Sequence, residues 1–119
     1  MTELEKAVKE FNNGAYYACH ETLEKQWLED KSLQRDVYKG ILQIAVALFH
    51  MNQGNISGAK RLLRSGVNLI KPFGPQWSGL DLDRLGDDSH KLLQNLDGLN
   101  NDDKIYHLKI PIIHWHEDQ

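Results

Sequence analysis

Residues 41 to 49 read Ile41-Leu42-Gln43-Ile44-Ala45-Val46-Ala47-Leu48-Phe49, a nearly unbroken apolar run inside a longer stretch, Leu33 to Asn52, whose spacing predicts one helix. A helix that is apolar on nearly every face has no side to give to solvent, so it belongs in the middle of a bundle. Gln43 and His50 interrupt the run, and Ile41 to Met51 falls well short of the roughly 20 residues needed to cross a bilayer. The run therefore predicts the central rod of an all-α domain.

On its N-terminal side, Thr2 followed by Glu5 matches a capping box, and Leu4, Val8 and Phe11 recur at helical spacing, predicting a first helix from Glu3 to Asn12. Asn12-Asn13-Gly14 ends it, because Asn and Gly tolerate the left-handed conformation of a helix terminus. Tyr16, Cys19, Leu23 and Trp27 then form one stripe of a second helix, from Ala15 to about Glu29, and Asp30-Lys31-Ser32 links it to the central one. On the C-terminal side, Gly54-Asn55 starts a fourth helix that uses Ile56, Ala59, Leu62, Leu63, Val67 and Ile70 until Pro72 stops it. Phe11-Asn12-Asn13-Gly14 aligns with Met51-Asn52-Gln53-Gly54 at an offset of 40 residues, and Leu23 with Leu63. Two stacked helical hairpins are implied, forming a compact four-helix core over residues 1–72.

Beyond Ile70 the composition changes. Pro72, Gly74, Pro75, Gly79 and Gly86 punctuate residues 72–87, read as a packed loop carrying Phe73, Trp77, Leu80 and Leu82. Asp88 or Ser89 then caps a short fifth helix, 88–97, with Leu92, Leu93 and Leu96. The remainder, 104–119, reads as an extended arm, since Pro111 suits neither a helix interior nor a central strand. Such an arm lies either on its own bundle or on a second copy, which allows a homodimer.

The 119 residues, 40% hydrophobic and 26% charged, suit one helical domain over 1–119. A formal charge of −3 argues against nucleic acid and acidic membrane surfaces as partners. The single Cys19 excludes an internal disulfide, and the polar, acidic start does not resemble a secretory signal, so the expected location is the cytoplasm. Cys19 and His20 diverge by 100° on a helix, so Cys19 is read as a buried, inert thiol. Lys60, Arg61 and Arg64 read as a solvated face. His107, His114 and His116, with Glu117 and Asp118, form a terminal set fit only for adventitious metal binding.

The informative departures are polar groups on faces that should be buried. On a helical wheel His20 lies between Tyr16 and Leu23, and Glu24 one turn on, beside Trp27; Lys39, Gln43 and His50 fall within about 40° of one another on the central helix. If the two helices are antiparallel neighbours, His20 and Glu24 meet Gln43 and His50 across the interface, forming a buried polar cluster whose members satisfy one another.

The string His20-Glu21-Thr22-Leu23-Glu24 with Trp27, then Gly40 through Leu48 carrying Gln43, then His50, and Gly54-Asn55 with Gly58-Ala59, resembles the small helical proteins of domain-of-unknown-function family 309. The resemblance runs from about Asn12 to Asp81 and does not cover the arm. It implies an all-α bundle and marks His20, Glu21, Glu24, Gln43 and His50 as the family's polar signature, and it supplies no activity.

Two functions of different class follow. The favoured reading is a binding or scaffold module without a cofactor, holding a peptide, protein or small molecule in a groove lined by Tyr16, Tyr17, Trp27, Lys39 and His50, with His20, Glu24 and Gln43 fixing helix register. The alternative is a metal-dependent hydrolase, with His20, Glu24 and His50 holding a divalent ion and Glu21 as general base. Against it, Glu24 stands where the His-Glu-x-x-His motif needs a second histidine.

Overall fold

The computed structural model describes residues 1–116; Glu117 and Asp118 of the terminal metal-binding set lie outside the described residues. Five α-helices form: α1 (Glu3–Asn12), α2 (Tyr16–Glu29), α3 (Arg35–Asn52), α4 (Ile56–Ile70) and α5 (Leu82–Leu96). The architecture is all-α, with one minimal two-stranded sheet. The apolar run sits on α3, which packs against both α2 and α4, and no residue from Arg35 to Met51 is exposed. Leu33, expected inside this helix, is instead 84% exposed in the preceding turn, where the Asp30 carboxylate accepts from the Ser32 amide at 2.7 Å and hydroxyl at 2.6 Å.

The capping box forms as the sequence predicts: the Glu5 amide donates to Thr2 Oγ1 at 3.0 Å, and the Thr2 amide to Glu5 Oε1 at 3.3 Å. The internal repeat is equally real in three dimensions. The α1–α2 turn bonds Ala15 N to Glu10 O (2.9 Å) and Gly14 N to Phe11 O (3.0 Å); the α3–α4 turn bonds Asn55 N to His50 O (2.8 Å) and Gly54 N to Met51 O (3.1 Å). Both are Schellman motifs, and Gly14 and Gly54 have φ of +79° and +81°, which side chains rarely adopt. Ala7 and Ala47, Val8 and Leu48, Phe11 and Met51, Tyr16 and Ile56, Cys19 and Ala59, and Leu23 and Leu63 stand 40 residues apart, and every one is buried. The two hairpins thus bury equivalent positions.

The segment after α4 departs from the expected loop and short helix. Helix α5 starts at Leu82 rather than at residue 88: Asp81 caps it by accepting from Arg84 N at 3.0 Å, and Leu82, Leu85, Ser89, Leu92, Leu93 and Leu96 bury one continuous face. Gly86 does not break it, because a glycine inside a packed helix costs only about 1 kcal/mol. Ahead of α5 a 3-10 turn (Lys71–Phe73) leads into an antiparallel hairpin of β1 (Gln76–Trp77) and β2 (Leu80–Asp81). Its two-residue turn places Ser78 and Gly79 at φ of +50° and +84°, the pairing that matches strand twist. Trp77 ties the hairpin to the start of α3, packing edge-on against Tyr38 (5.2 Å between rings) and donating to Gln34 Oε1 at 3.1 Å.

The arm packs on its own chain. Trp115 bridges Leu80, Asp81 N donates to His114 O at 2.9 Å, and Ile113 is buried. Asn12 fixes the docking: its Nδ2 donates to Ile113 O at 2.8 Å while its Oδ1 accepts from Ile113 N at 2.7 Å.

Candidate functional site

Helices α2 and α3 run antiparallel, and two contacts set their register. Tyr17 meets Phe49 (6.0 Å between rings) at one end; at the other, the Arg35 guanidinium and the Lys39 ammonium lie 4.8 and 5.5 Å from the Trp27 ring. His20 and Glu24 fall between these contacts. On α3, Asp36, Lys39, Gln43, Val46 and His50 share the side opposite the buried Ile41, Ala45 and Leu48, and all five are half-buried. They line a seam on α3 between α2 and α4. Its polar groups are therefore neither enclosed nor fully wet.

His20, Glu24 and Gln43, expected to be buried, are only half-buried. His20 Nε2 lies 3.4 Å from Glu24 Oε2, with 26% and 45% of the two side chains exposed. Solvent therefore reaches the pair. Two side-chain atoms of the seam, His20 Nδ1 and Gln43 Oε1, are nonetheless buried with no hydrogen-bond partner among the described residues. No hydrogen bond joins His20 or Glu24 to Gln43 or His50 among the described residues, so the four do not satisfy one another as expected.

The proposed metal ligands do not converge. With Tyr17 opposite Phe49, His50 sits level with the beginning of α2, about a turn from His20, and its ring packs at 6.1 Å from Phe49. Among the described residues no three His, Cys, Asp or Glu side chains are grouped so as to hold an ion. Glu21, the candidate base, is exposed and turned 100° from His20. Tyr16, expected to line a groove, is a core residue, edge-on to Phe11 at 5.7 Å. Tyr17 stays 59% exposed and packs on His20 at 5.6 Å.

Cys19 is fully buried, and burial pushes its thiol up to about 12, with Glu10 reinforcing the shift. The thiolate is the reactive form. At pH 8 the native protein is therefore expected to resist iodoacetamide, with stoichiometric labelling only in denaturant; labelling at the rate of a free thiol would contradict this placement.

Three structural residues escape the sequence reading. Asn12 holds the arm; Gly40 and Gly66 let α3 and α4 cross at backbone contact. The repeat that pairs Asn12 with Asn52 was the available signal for the first.

Comparison with known proteins places these residues in a family. Residues 4–62 match the model described as Domain of unknown function (DUF309). That segment covers α1, α2, α3 and the first half of α4, and so contains His20, Glu21, Glu24, Trp27, Lys39, Gln43 and His50. The "Uncharacterized protein YpuF" of Bacillus subtilis (strain 168) is 42% identical over 57 residues, 47% of this chain and 33% of that protein. The match thus spans about a third of the relative's length. No solved structure matches. The chain belongs to the DUF309 family, and the seam of α2 and α3 lies wholly within the part that carries the likeness.

Proposed function

We propose that the chain is a binding module whose ligand lies along the α2–α3 seam, contacting Glu24, His20, Gln43 and Lys39 beside Trp27. The observation that carries this reading is the pair of buried polar atoms, His20 Nδ1 and Gln43 Oε1, that have no hydrogen-bond partner among the described residues. An unsatisfied buried polar group costs about 1–3 kcal/mol, so a purely structural seam is better served by apolar side chains. Gln43 Oε1 accepts only, which selects a ligand that brings an N–H or O–H donor, and Glu24 adds negative charge for a cationic or amide group.

The test separates binding from architecture. Gln43→Leu removes the orphaned acceptor, and the free protein is expected to gain about 1 kcal/mol, or ~4 °C in melting midpoint. Titration of the ¹⁵N-labelled parent with a set of small primary amides and alkylammonium ions is expected to shift amides near His20 to Trp27 and Lys39 to His50, and Gln43→Leu to lose those shifts. A fall in melting midpoint for Gln43→Leu would mean the group already has its partner in the fold. Perturbation confined to other surfaces would reject the seam as the ligand site.

A further inference from the structure

The seam of α2 and α3 is graded in charge. At its Trp27 end stand the Arg35 guanidinium and the Lys39 ammonium, both half-buried, 4.8 and 5.5 Å from the centre of the same ring. Neither forms an ion pair with a carboxylate of the described residues, although Glu24 and Asp36 are their neighbours on the two helices. An indole face attracts a cation but carries no net charge, so the repulsion between the two cations is left uncompensated. Arg35 Nε donates to Trp27 O at 3.4 Å, and its terminal N–H groups and those of Lys39 meet no acceptor among the described residues. One turn further along, the seam changes character. With Tyr17 opposite Phe49 and Trp27 opposite Lys39, Gln43 falls level with the stretch from His20 to Glu24. His20 Nε2 faces the Glu24 carboxylate at 3.4 Å, so the tautomer protonated there presents Nδ1 as an acceptor. Gln43 Oε1 is a second acceptor, and both atoms are buried with no hydrogen-bond partner among the described residues. Glu24 supplies a third.

We infer that the ligand of this seam is a small zwitterion, with a primary ammonium group against Gln43 Oε1, His20 Nδ1 and Glu24 and a carboxylate against Lys39 and Arg35. The inference rests on the binding function proposed above and names the class of ligand. A primary ammonium brings three N–H donors, as many as there are acceptors, and has no acceptor of its own to leave unpaired. A neutral amide brings two donors and adds a carbonyl oxygen. The carboxylate gives two cations the counter-charge they lack, through charge-assisted hydrogen bonds, whereas an amine without it brings a further positive charge beside them. Spacing sets the size. Lys39 and Gln43 are four residues apart, about 6 Å along the axis of α3, and helical side chains lean the same way, so the ligand's two charges stand about one turn apart. An α-amino acid is too short for that separation; an ω-amino acid with four methylene groups spans it.

The probes are 5-aminopentanoate and n-pentylamine, which share a chain and an ammonium group and differ in the carboxylate. Titrated into the full ¹⁵N-labelled chain, 5-aminopentanoate is expected to shift the amides of His20 to Trp27 and of Lys39 to Gln43 with an affinity about tenfold or more above that of pentylamine. Lys39→Met, which keeps an unbranched stem beside the indole, is expected to erase that advantage. Lys39→Arg, which keeps the charge, is expected to preserve it, so loss of the charge is separated from loss of the fold. Equal affinity for the two probes overturns this inference and leaves the binding function standing. An advantage that survives in Lys39→Met also overturns it, since the carboxylate would then lie elsewhere. Silence of the seam towards 5-aminopentanoate, while simple amides or alkylammonium ions shift it, sinks the zwitterion alone; silence towards all of them rejects the binding function with it.

Discussion

Gly66→Val is expected to lower the melting midpoint by about 12 °C, corresponding to a loss of about 3 kcal/mol, and Gly66→Ala by about 4–8 °C. The reason is the contact between α3 and α4. A Cβ at Gly66 would stand 2.7 Å from Gly40 O and 3.2 Å from Ile44 N, both backbone atoms of the central helix, and 2.7 Å from Ile44 Cγ1. A side-chain neighbour can rotate away; a helix backbone cannot, so the two rods must separate. The reciprocal position is equally closed, since a Cβ at Gly40 would meet Ile70 Cγ2 at 2.5 Å and Gly66 O at 3.0 Å. Overpacking of this kind costs about 1–3 kcal/mol or more, whereas replacing glycine with alanine in a helix returns only about 1 kcal/mol. Packing therefore decides the sign. Gly86→Ala in α5 is the control. Its added Cβ would meet only Ile70 Cδ1, at 3.9 Å, so propensity acts alone and the midpoint is expected to rise by about 2–4 °C. Calorimetry of the three variants checks the argument, and a stabilised Gly66→Ala would show that the helices do not cross at backbone contact.

This crossing also explains what the sequence could and could not convey. The centrality of α3 is legible because hydrophobic periodicity reports how many sides of a helix are covered, and Ile41 to Phe49 leave almost none open. The repeat is legible because Gly14 and Gly54 answer to the same backbone demand, a positive φ after the last turn. Gly40 and Gly66 make no such local demand; their necessity arises only when two distant helices meet, and nothing in either segment announces the other. Gly86 shows the converse error. Read locally it is a breaker, and it displaced the expected start of α5 by six residues, although Asp81, Leu82 and Leu85 already carried the cap and the apolar spacing. The polar stripe shows a third limit. A helical wheel gives the side of its helix on which each of His20, Glu24 and Gln43 lies, but depth depends on how closely the neighbouring helices approach, which neither segment encodes alone.

Asn12→Ala is expected to release the arm, accelerating amide exchange at Ile113 and His116 by about 30-fold, equivalent to about 2 kcal/mol of lost docking. In the native chain the Asn12 side chain bonds both the N–H and the C=O of Ile113, at 2.7 and 2.8 Å. Without it these two peptide groups lose their partners beside a buried side chain, Ile113, which is only 3% exposed. The bonds between His116 N and Gly79 O and between Asp81 N and His114 O remain at the arm's far end. Trp115 reports the same event: it is 42% exposed and lies over Gly79, so detachment is expected to shift its fluorescence to the red. Opening is local, because α1 to α4 bury their own core without the arm, and helical circular dichroism at 25 °C is expected to stay near the parental value. Asn12→Asp refines the test through protonation. Its ionised carboxylate can accept from Ile113 N but faces Ile113 O with no proton to donate. Lowering the pH through about 4 supplies that proton and is expected to restore part of the protection. The sign is the informative feature: most surface contacts involving carboxylates weaken as acid neutralises them, whereas this one strengthens. Parental exchange at Ile113 in Asn12→Ala would show that the arm is held by its apolar side chains alone and that the asparagine pairing adds nothing.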